Sequence, residues 1–175
     1  MSHTGWNKER IEQVVRTYSD PLTRYAFCYV QDAALAEDIM EEAIATLLLQ
    51  RKDFRDENHL QGYLYRVTKN KAIDQIRKQK REVPLEDVQD VLQGSDVESQ
   101  VMRDVLKTQI YTCMQKLPQK YREVLYLSYF EDFSVDQVCS LIKKNKKQVY
   151  NLLSRSKQTL REIFLKEGIT YEDLF

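Results

Sequence analysis

Four polar residues repeat at helical spacing in the first half of the chain. Arg66, Asn70, Asp74 and Arg77 are separated by four, four and three positions, which places them on one face of a helix. Arginine pairs well with the edge of guanine, and asparagine with the edge of adenine. The face therefore carries side chains that could read bases. A solvated surface with Asp74 paired to Lys78 has the same spacing, and for Arg66 and Asn70 geometry alone leaves both readings open.

A second group of candidates lies near the C-terminus. Ser134-x-x-Gln137 is a capping box, and Asn145 with Gln148 can cap a following helix. The intervening break, Lys143-Lys144-Asn145, is the length of the turn in a helix-turn-helix. Seven basic and no acidic residues lie between 143 and 161, which favours phosphate contact over the alternative, an ordinary helical hairpin. The outward candidates are Lys147, Gln148, Tyr150, Asn151 and Ser154, with Arg155 and Lys157 nearer the DNA backbone.

A polar segment with an aromatic entrance precedes the first candidate helix. It reads Phe54-Arg55-Asp56-Glu57-Asn58-His59. Aromatic rings stack on bases that have left the double helix, so this segment is a candidate site for an unstacked base.

Basic and acidic residues are unevenly distributed along the chain, although their numbers are equal. The 175 residues contain 27 basic and 27 acidic side chains, a formal net charge of zero, which argues against a nucleic-acid partner. Resolved along the chain, the charge is +6 over residues 66–81, −6 over 82–106 and +7 over 143–161. Two basic clusters on predicted helices indicate contact with phosphates.

Other features exclude several classes of protein. The longest apolar run, residues 43–49, is far shorter than the roughly 20 residues of a membrane helix, and the N-terminus lacks a signal peptide's apolar stretch. We therefore expect a cytoplasmic protein without direct membrane insertion. Three cysteines without a Cys-x-x-Cys pair, and two histidines, do not match a disulfide framework or a metal site. The helical spacing predicts that Cys28, Cys113 and Cys139 are buried.

The elements that must position these residues are all helical. Apolar residues recur at spacings of three and four, which predicts an all-α fold. We expect two small helical domains, 1–81 and 95–175, joined by an acidic linker, 82–94; the second contains the helix-turn-helix at about 134–157 and a short tail. Pro21 is expected to open a segment, and Asp32 to cap a helix over 33–51. Further helices are expected over about 60–79, from the capping box Ser95-x-x-Glu98 to about 117, and over about 119–131, 134–142 and 146–165.

These segments resemble a known family. Residues 117–125 (LPQKYREVL), followed by 129–134 (YFEDFS) and the helix-turn-helix, resemble the promoter-distal domain of bacterial RNA polymerase sigma factors. Residues 35–42 (LAEDIMEE) and 63–77 (YLYRVTKNKAIDQIR) resemble that family's core-binding and minus-ten-reading helices. The resemblance covers nearly all of the chain after Asp20. The short two-domain layout is that of the extracytoplasmic-function (ECF) group.

The resemblance implies a transcription initiation factor that binds core RNA polymerase and directs it to promoter DNA. Polymerase would be bound by Glu37, Asp38, Glu41 and Glu42. The minus-ten element would be read by Arg55, Asn58, Tyr63, Arg66, Asn70 and Arg77, with a flipped base held by the 54–61 loop. The minus-thirty-five element would be read by Lys146, Lys147, Gln148, Tyr150, Asn151, Ser154 and Arg155. Family members are often held by an anti-sigma factor, and the resemblance implies no cofactor, metal or small-molecule substrate.

Five positions depart from the family pattern. The usual turn glycine is Lys143, the apolar residue after it is Lys144, and a common recognition-helix arginine is Leu152. The usual glutamine of the core-binding motif is Glu41, and the usual tryptophan before the minus-ten helix is Tyr63. The departures at Lys143, Lys144 and Leu152 motivate an alternative, a sigma-like polymerase-binding or regulatory protein with weak or no sequence-specific DNA readout.

Two further classes fit less well. A stand-alone helix-turn-helix regulator would leave the N-terminal match unexplained. An enzyme is the least favoured class, because His3 and His59 are far apart and the sequence has neither a nucleophile motif nor a glycine-rich phosphate loop.

Overall fold

The chain folds into helices that belong to two compact units. The computed structural model describes residues 5–82 and 105–169, and all regular elements in these ranges are helical. The two units are Met1–Leu92 and Gln93–Phe175. The predicted all-α class is confirmed. The predicted linker, apart from residue 82, and the predicted capping box at Ser95 lie outside the described residues.

The described residues of the first unit, 5–82, form three helices, α1 (Lys8–Val30), α2 (Ala33–Gln50) and α3 (Glu57–Glu82). Asp32 caps α2 as expected, because its carboxylate accepts a hydrogen bond from the Leu35 amide at 3.0 Å. The third helix begins three residues earlier than the apolar pattern predicted. Asp56 explains the early start, since its carboxylate accepts the His59 amide at 2.8 Å.

The core of the first unit joins all three helices. The largest fully buried side chains include Leu22 and Tyr25 of α1, Leu47 of α2, and Leu64 and Tyr65 of α3. The rings of Tyr25 and Tyr65 lie 5.1 Å apart between centroids. Burying each such side chain contributes about 1.5–3 kcal/mol, so α3 is held firmly on the other two helices.

Pro21 lies inside α1 and does not open a segment. Proline in a helix interior costs about 3 kcal/mol, because its missing amide removes one hydrogen bond and its ring crowds the preceding turn. Leu22, the next residue, and Tyr25, about one turn later, are completely buried. Packing of this helix against its neighbours outweighs the local cost.

The second unit contains α4 (Val105–Met114), α5 (Gln119–Leu125), a π-helical turn at Tyr126–Phe130, α6 (Val135–Ile142) and α7 (Lys146–Lys166). A continuous α-helix over 119–131 was predicted, and its second half is instead π-helical. The Glu131 amide bonds to the Tyr126 carbonyl at 3.2 Å. Stacking of Tyr126 on Phe130, with centroids 5.8 Å apart, stabilises this wider turn.

Buried polar contacts accompany the apolar core of the second unit. Arg122 is buried, and its guanidinium donates to the carbonyls of Gln115 at 3.2 Å and Leu117 at 2.7 Å. These bonds satisfy backbone groups in the turn after α4.

The cysteines are buried in two of the three predicted cases. Cys28 and Cys113 are buried, whereas Cys139 is half-buried. The prediction for Cys139 is wrong because its neighbour Val138 takes the buried position on α6. Burial raises the pKa of the Cys113 thiol, so its neutral form is favoured.

Candidate nucleic-acid interface

The helix α3 presents the predicted base-reading face to solvent. Arg66, Asn70, Asp74 and Arg77 are all exposed. The opposite side of the same helix is buried against α1 and α2 through residues such as Leu64, Thr68 and Ala72. The helix is therefore fixed on one side and accessible on the other, as base readout requires.

The loop before α3 is shorter than the predicted 54–61 segment. It spans only residues 51–56, since α3 starts at Glu57 and includes Asn58. Arg55 and Asn58 are exposed at the end of the loop and in the first helical turn. Arg55 and Asn58 therefore lie close together in the chain, and Asn58 is carried by a helix rather than by a loop.

Three rings and a lysine form an aromatic cluster beside this loop. Phe54 lies between His59 and Tyr63, with centroid distances of 5.3 Å to each. Lys52 Nζ lies 5.3 Å from the Tyr63 ring centroid, within cation–π range. The Tyr63 hydroxyl donates to Gln50 Oε1. The cluster combines a positive charge with partly exposed rings, which suits stacking with a base and contact with its phosphate.

The start of α1 reaches this same loop. Trp6 Nε1 donates to the Lys52 carbonyl at 3.2 Å. Glu57, the first residue of α3, accepts from Arg10 Nη2 at 2.8 Å and from the Tyr18 hydroxyl at 2.7 Å. No local pattern in the sequence indicates these contacts, because the partners lie 39 to 47 positions apart.

Electrostatics at Glu57 favour its ionised form. Burial alone would raise its pKa, but the hydrogen bonds from Arg10 and Tyr18 outweigh burial and lower it. Burial and the hydrogen bond to Glu57 together raise the pKa of Tyr18. Glu57 is therefore an anion and Tyr18 a neutral donor at neutral pH.

An acidic face lies on α2. Glu37, Asp38, Glu41 and Glu42 are all exposed, at positions that share one side of the helix. Glu42 Oε2 lies 3.8 Å from Lys71 Nζ of α3, and more than half of the Glu42 side chain remains exposed. A partly exposed ion pair of this kind contributes little stability, so the four carboxylates are available to a basic partner.

The helix-turn-helix forms in the second unit as predicted. Both predicted caps form complete capping boxes, Ser134 with Gln137 and Asn145 with Gln148. Lys143 has φ 57° and ψ 50°, the left-handed conformation that glycine adopts without strain. The turn therefore keeps this backbone geometry although a lysine occupies the position of the usual glycine.

The second helix of this motif, α7, exposes its predicted reading residues. The side chains that are exposed on its N-terminal half are Lys146, Lys147, Gln148, Tyr150, Asn151, Ser154 and Arg155. Lys146 is not isolated, since its Nζ lies 3.3 Å from Asp136 Oδ1. Both side chains of this pair are largely exposed, so the lysine could exchange the carboxylate for a phosphate at little cost.

Sequence reasoning missed a groove beside α7. Lys157 Nζ lies 5.2 Å from the ring centroid of Tyr129, an exposed residue of the π-helical turn. These two residues line an open groove of about 630 Å³ together with Tyr150, Leu153, Ser154, Arg155, Gln158 and Arg161. Tyr129 and Lys157 lie 28 positions apart on different elements, so sequence spacing could not reveal their contact.

Residues 5–82 and 105–169 contain no group of three or more His, Cys, Asp or Glu side chains placed to hold a metal ion. No helix in these two ranges is both long and apolar enough to cross a bilayer.

Comparison with known proteins identifies the two units. The family model for sigma-70 region 2 matches residues 14–82, and the model for sigma-70 region 4 matches residues 107–160. The ECF RNA polymerase sigma factor SigM of Bacillus subtilis (strain 168) is 24% identical over 156 residues, which span 88% of this chain and 94% of SigM. The RNA polymerase sigma factor SigV of the same organism is 26% identical over 148 residues, 84% of this chain and 86% of SigV.

A solved structure shares the fold. The sigma factor RpoE of Bartonella quintana, crystallised in complex with the anti-sigma factor NepR, superposes with a TM-score of 0.71 at 18% identity. The match covers 89% of this chain and 97% of RpoE.

An exposed polar helix in one unit and a basic helix-turn-helix in the other define a promoter-recognition protein of transcription initiation. The chain belongs to the sigma-70 family of RNA polymerase sigma factors, in its ECF group. Its regions 2 and 4 serve polymerase binding and promoter recognition. The resemblance inferred from the sequence, and the function it implied, are confirmed; the roles of individual residues stay predictions.

Proposed function

We propose that this chain reads a promoter through two separate faces, one on each unit, while an acidic face holds core RNA polymerase. The observation that carries the proposal is the exposure of both basic helix faces on helices whose other sides are packed. A helix fixed in this way presents its side chains to DNA without first ordering its backbone.

The first face would recognise the minus-ten element. Arg66 and Asn70 would pair with base edges in the duplex part, and Arg77 would hold a phosphate. Tyr63 belongs to the aromatic cluster, and Arg55 and Asn58 are exposed next to its members in the chain. An unstacked base of the non-template strand would be bound at this cluster. Unstacking costs a few kcal/mol, which stacking and charge contacts in the cluster must offset.

The second face would recognise the minus-thirty-five element in the major groove. Gln148, Asn151 and Ser154 would meet base edges, and Lys147 and Arg155 would hold phosphates. Lys146 would leave Asp136 for a phosphate, and Tyr150 would contribute apolar contact.

The remaining assignments concern partners and location. Glu37, Asp38, Glu41 and Glu42 would bind a basic surface of core polymerase, by charge complementarity. The chain would contribute no catalytic step, would require no cofactor, and would act in the cytoplasm with polymerase and DNA. An anti-sigma factor would hold it inactive, in line with the complex of its structural relative RpoE with NepR.

Run-off transcription with core polymerase on a randomised promoter library tests the proposal. With this protein present, we expect starts at a defined sequence set that carries both elements; without it, we expect none. Polymerase binding without sequence-specific starts would instead establish the alternative, a sigma-like protein without DNA readout. Charge reversal of Glu37 and Glu41 to lysine should abolish the starts by preventing binding to core polymerase.

A further inference from the structure

The N-terminal part of α1 holds the loop that carries the base-binding cluster. Trp6 lies two residues before the first residue of this helix, and its indole N–H donates to the backbone carbonyl of Lys52 at 3.2 Å. Arg10 and Tyr18 lie further along and hold Glu57 at 2.8 Å and 2.7 Å. The loop, residues 51–56, is thus tied down near its start and immediately after its end.

We call the contacts of Trp6 with Lys52, and of Arg10 and Tyr18 with Glu57, the brace. Its Glu57 end is rigid. One carboxylate oxygen accepts from Arg10 and the other accepts from Tyr18, so the side chain is held from two directions. Tyr18 is only 4% exposed, and its ring is fixed by packing. Glu57 also occupies the first turn of α3, where a negative charge is favoured by the helix dipole.

The Trp6 end is coupled directly to the rings. Lys52, whose carbonyl Trp6 holds, places its ammonium group 5.3 Å from the Tyr63 ring centroid. Tyr63 packs on Phe54, and Phe54 packs on His59. A shift of the Lys52 backbone would therefore move its ammonium group away from the Tyr63 ring and change the surface that the three rings offer to a base.

We propose that Trp6, Arg10 and Tyr18 are positioning residues that set the shape of the base-binding cluster and thereby its base preference. This inference rests on the proposed function of the cluster. The three residues touch no base themselves; they act through Lys52 and Glu57. A loop ordered before binding avoids the entropy cost of ordering it on the DNA, and a fixed ring spacing discriminates among bases of different size and edge chemistry.

The variants Trp6→Phe and Tyr18→Phe test the inference with small changes. Each keeps an aromatic ring and removes one hydrogen-bond donor to the loop or to Glu57. Thr23→Val is the matched control, because the Thr23 hydroxyl bonds only within α1, to the Ser19 carbonyl at 2.7 Å. Each variant is assembled with core polymerase and tested on promoters that carry each of the four bases at the unstacked position.

We expect the double variant Trp6→Phe/Tyr18→Phe to lose about fivefold or more of its discrimination at that position. Preference at the minus-thirty-five element and affinity for core polymerase should stay as in the wild type. In the free protein, amide hydrogen exchange of residues 52–56 should be faster in the double variant and unchanged in the control.

The possible results separate this inference from the proposed function. A wild-type holoenzyme without any promoter preference would overturn both. A discriminating wild type whose double variant keeps the same base preference would overturn the positioning role alone. Equal losses at both promoter elements, or weakened binding to core polymerase, would also overturn it, since they indicate general destabilisation.

Discussion

Lys143, at the centre of the helix-turn-helix, adopts the left-handed backbone conformation, which residues other than glycine seldom adopt. With φ 57° it ends α6, and its amide bonds to the Cys139 carbonyl. Left-handed geometry costs a non-glycine residue about 1–2 kcal/mol. The surrounding capping boxes are strong enough to impose the turn despite this cost.

Replacing Lys143 isolates the backbone strain. We expect Lys143→Gly to exceed Lys143→Ala in free energy of unfolding by about 1 kcal/mol, because glycine alone is unstrained at this φ. Both variants lose the same charge, so the difference between their free energies of unfolding reports the backbone strain at this position. Denaturant unfolding followed by far-UV circular dichroism measures it. Equal stabilities would mean that the left-handed turn is not populated in solution.

Arg66 and Asn70 are the residues whose loss should change promoter choice most directly. Arg66→Ala and Asn70→Ala should each reduce discrimination between promoter and mutated promoter by about 1–3 kcal/mol. Gln79→Ala, on the opposite side of α3 and also exposed, is the control. Competition transcription with paired templates provides the measurement. Unchanged base preference in both variants would remove these residues from the readout.

At the scale of elements, helix class and caps were predictable because the signals are local. Asp32, Ser134 and Asn145 cap helices as their positions predicted. The π-helical turn after Leu125 was not predictable, because its apolar spacing is that of an ordinary α-helix. Pro21 was not predictable either, since tertiary packing outweighs its local cost in α1. The brace from Arg10 and Tyr18 to Glu57 was missed for the same reason: its members meet only when α1 packs on α3.

This brace should make the first unit sensitive to acid. Because the pKa of Glu57 is lowered in the folded protein, its contribution to stability is complete above the ordinary carboxyl pKa of 4.5. The contribution is lost as pH falls through the lowered pKa. More than half of the Glu57 side chain is exposed, so the effect should not exceed about 1 kcal/mol.

Glu57→Gln tests that coupling between α1 and α3. The variant should lose stability at pH 7 and show a smaller further loss below pH about 4.5 than the wild type. Trp6, the single tryptophan of the chain, reports unfolding of this unit by fluorescence. Glu41→Gln, which removes an exposed carboxylate from the middle of α2, is the control and should retain the wild-type dependence of stability on pH. Identical acid profiles for the wild type and Glu57→Gln would contradict the coupling.

At the scale of the whole molecule, charge is divided among segments of opposite sign. The basic faces on α3 and α7 are balanced by acidic residues elsewhere, including the four exposed carboxylates of α2. A neutral chain gains little long-range attraction to DNA, because non-specific affinity grows with the number of phosphates that are neutralised. Core polymerase that covers the acidic face would remove part of the repulsion.

The free chain should therefore bind promoter DNA weakly, and the holoenzyme should bind it specifically. We expect fluorescence anisotropy of a promoter duplex to give a dissociation constant for the free chain no tighter than about 10⁻⁶ M at physiological salt, the non-specific range. Adding core polymerase should tighten binding to the promoter at least about a thousandfold relative to unrelated DNA.

A variant without the acidic face tests the role of these charges. Replacing Glu37, Asp38, Glu41 and Glu42 by glutamine and asparagine should strengthen DNA binding by the free chain and weaken its binding to core polymerase. Nanomolar, sequence-specific binding by the unmodified free chain would contradict this prediction. It would mean that the acidic residues do not weaken binding of the two basic helices to DNA.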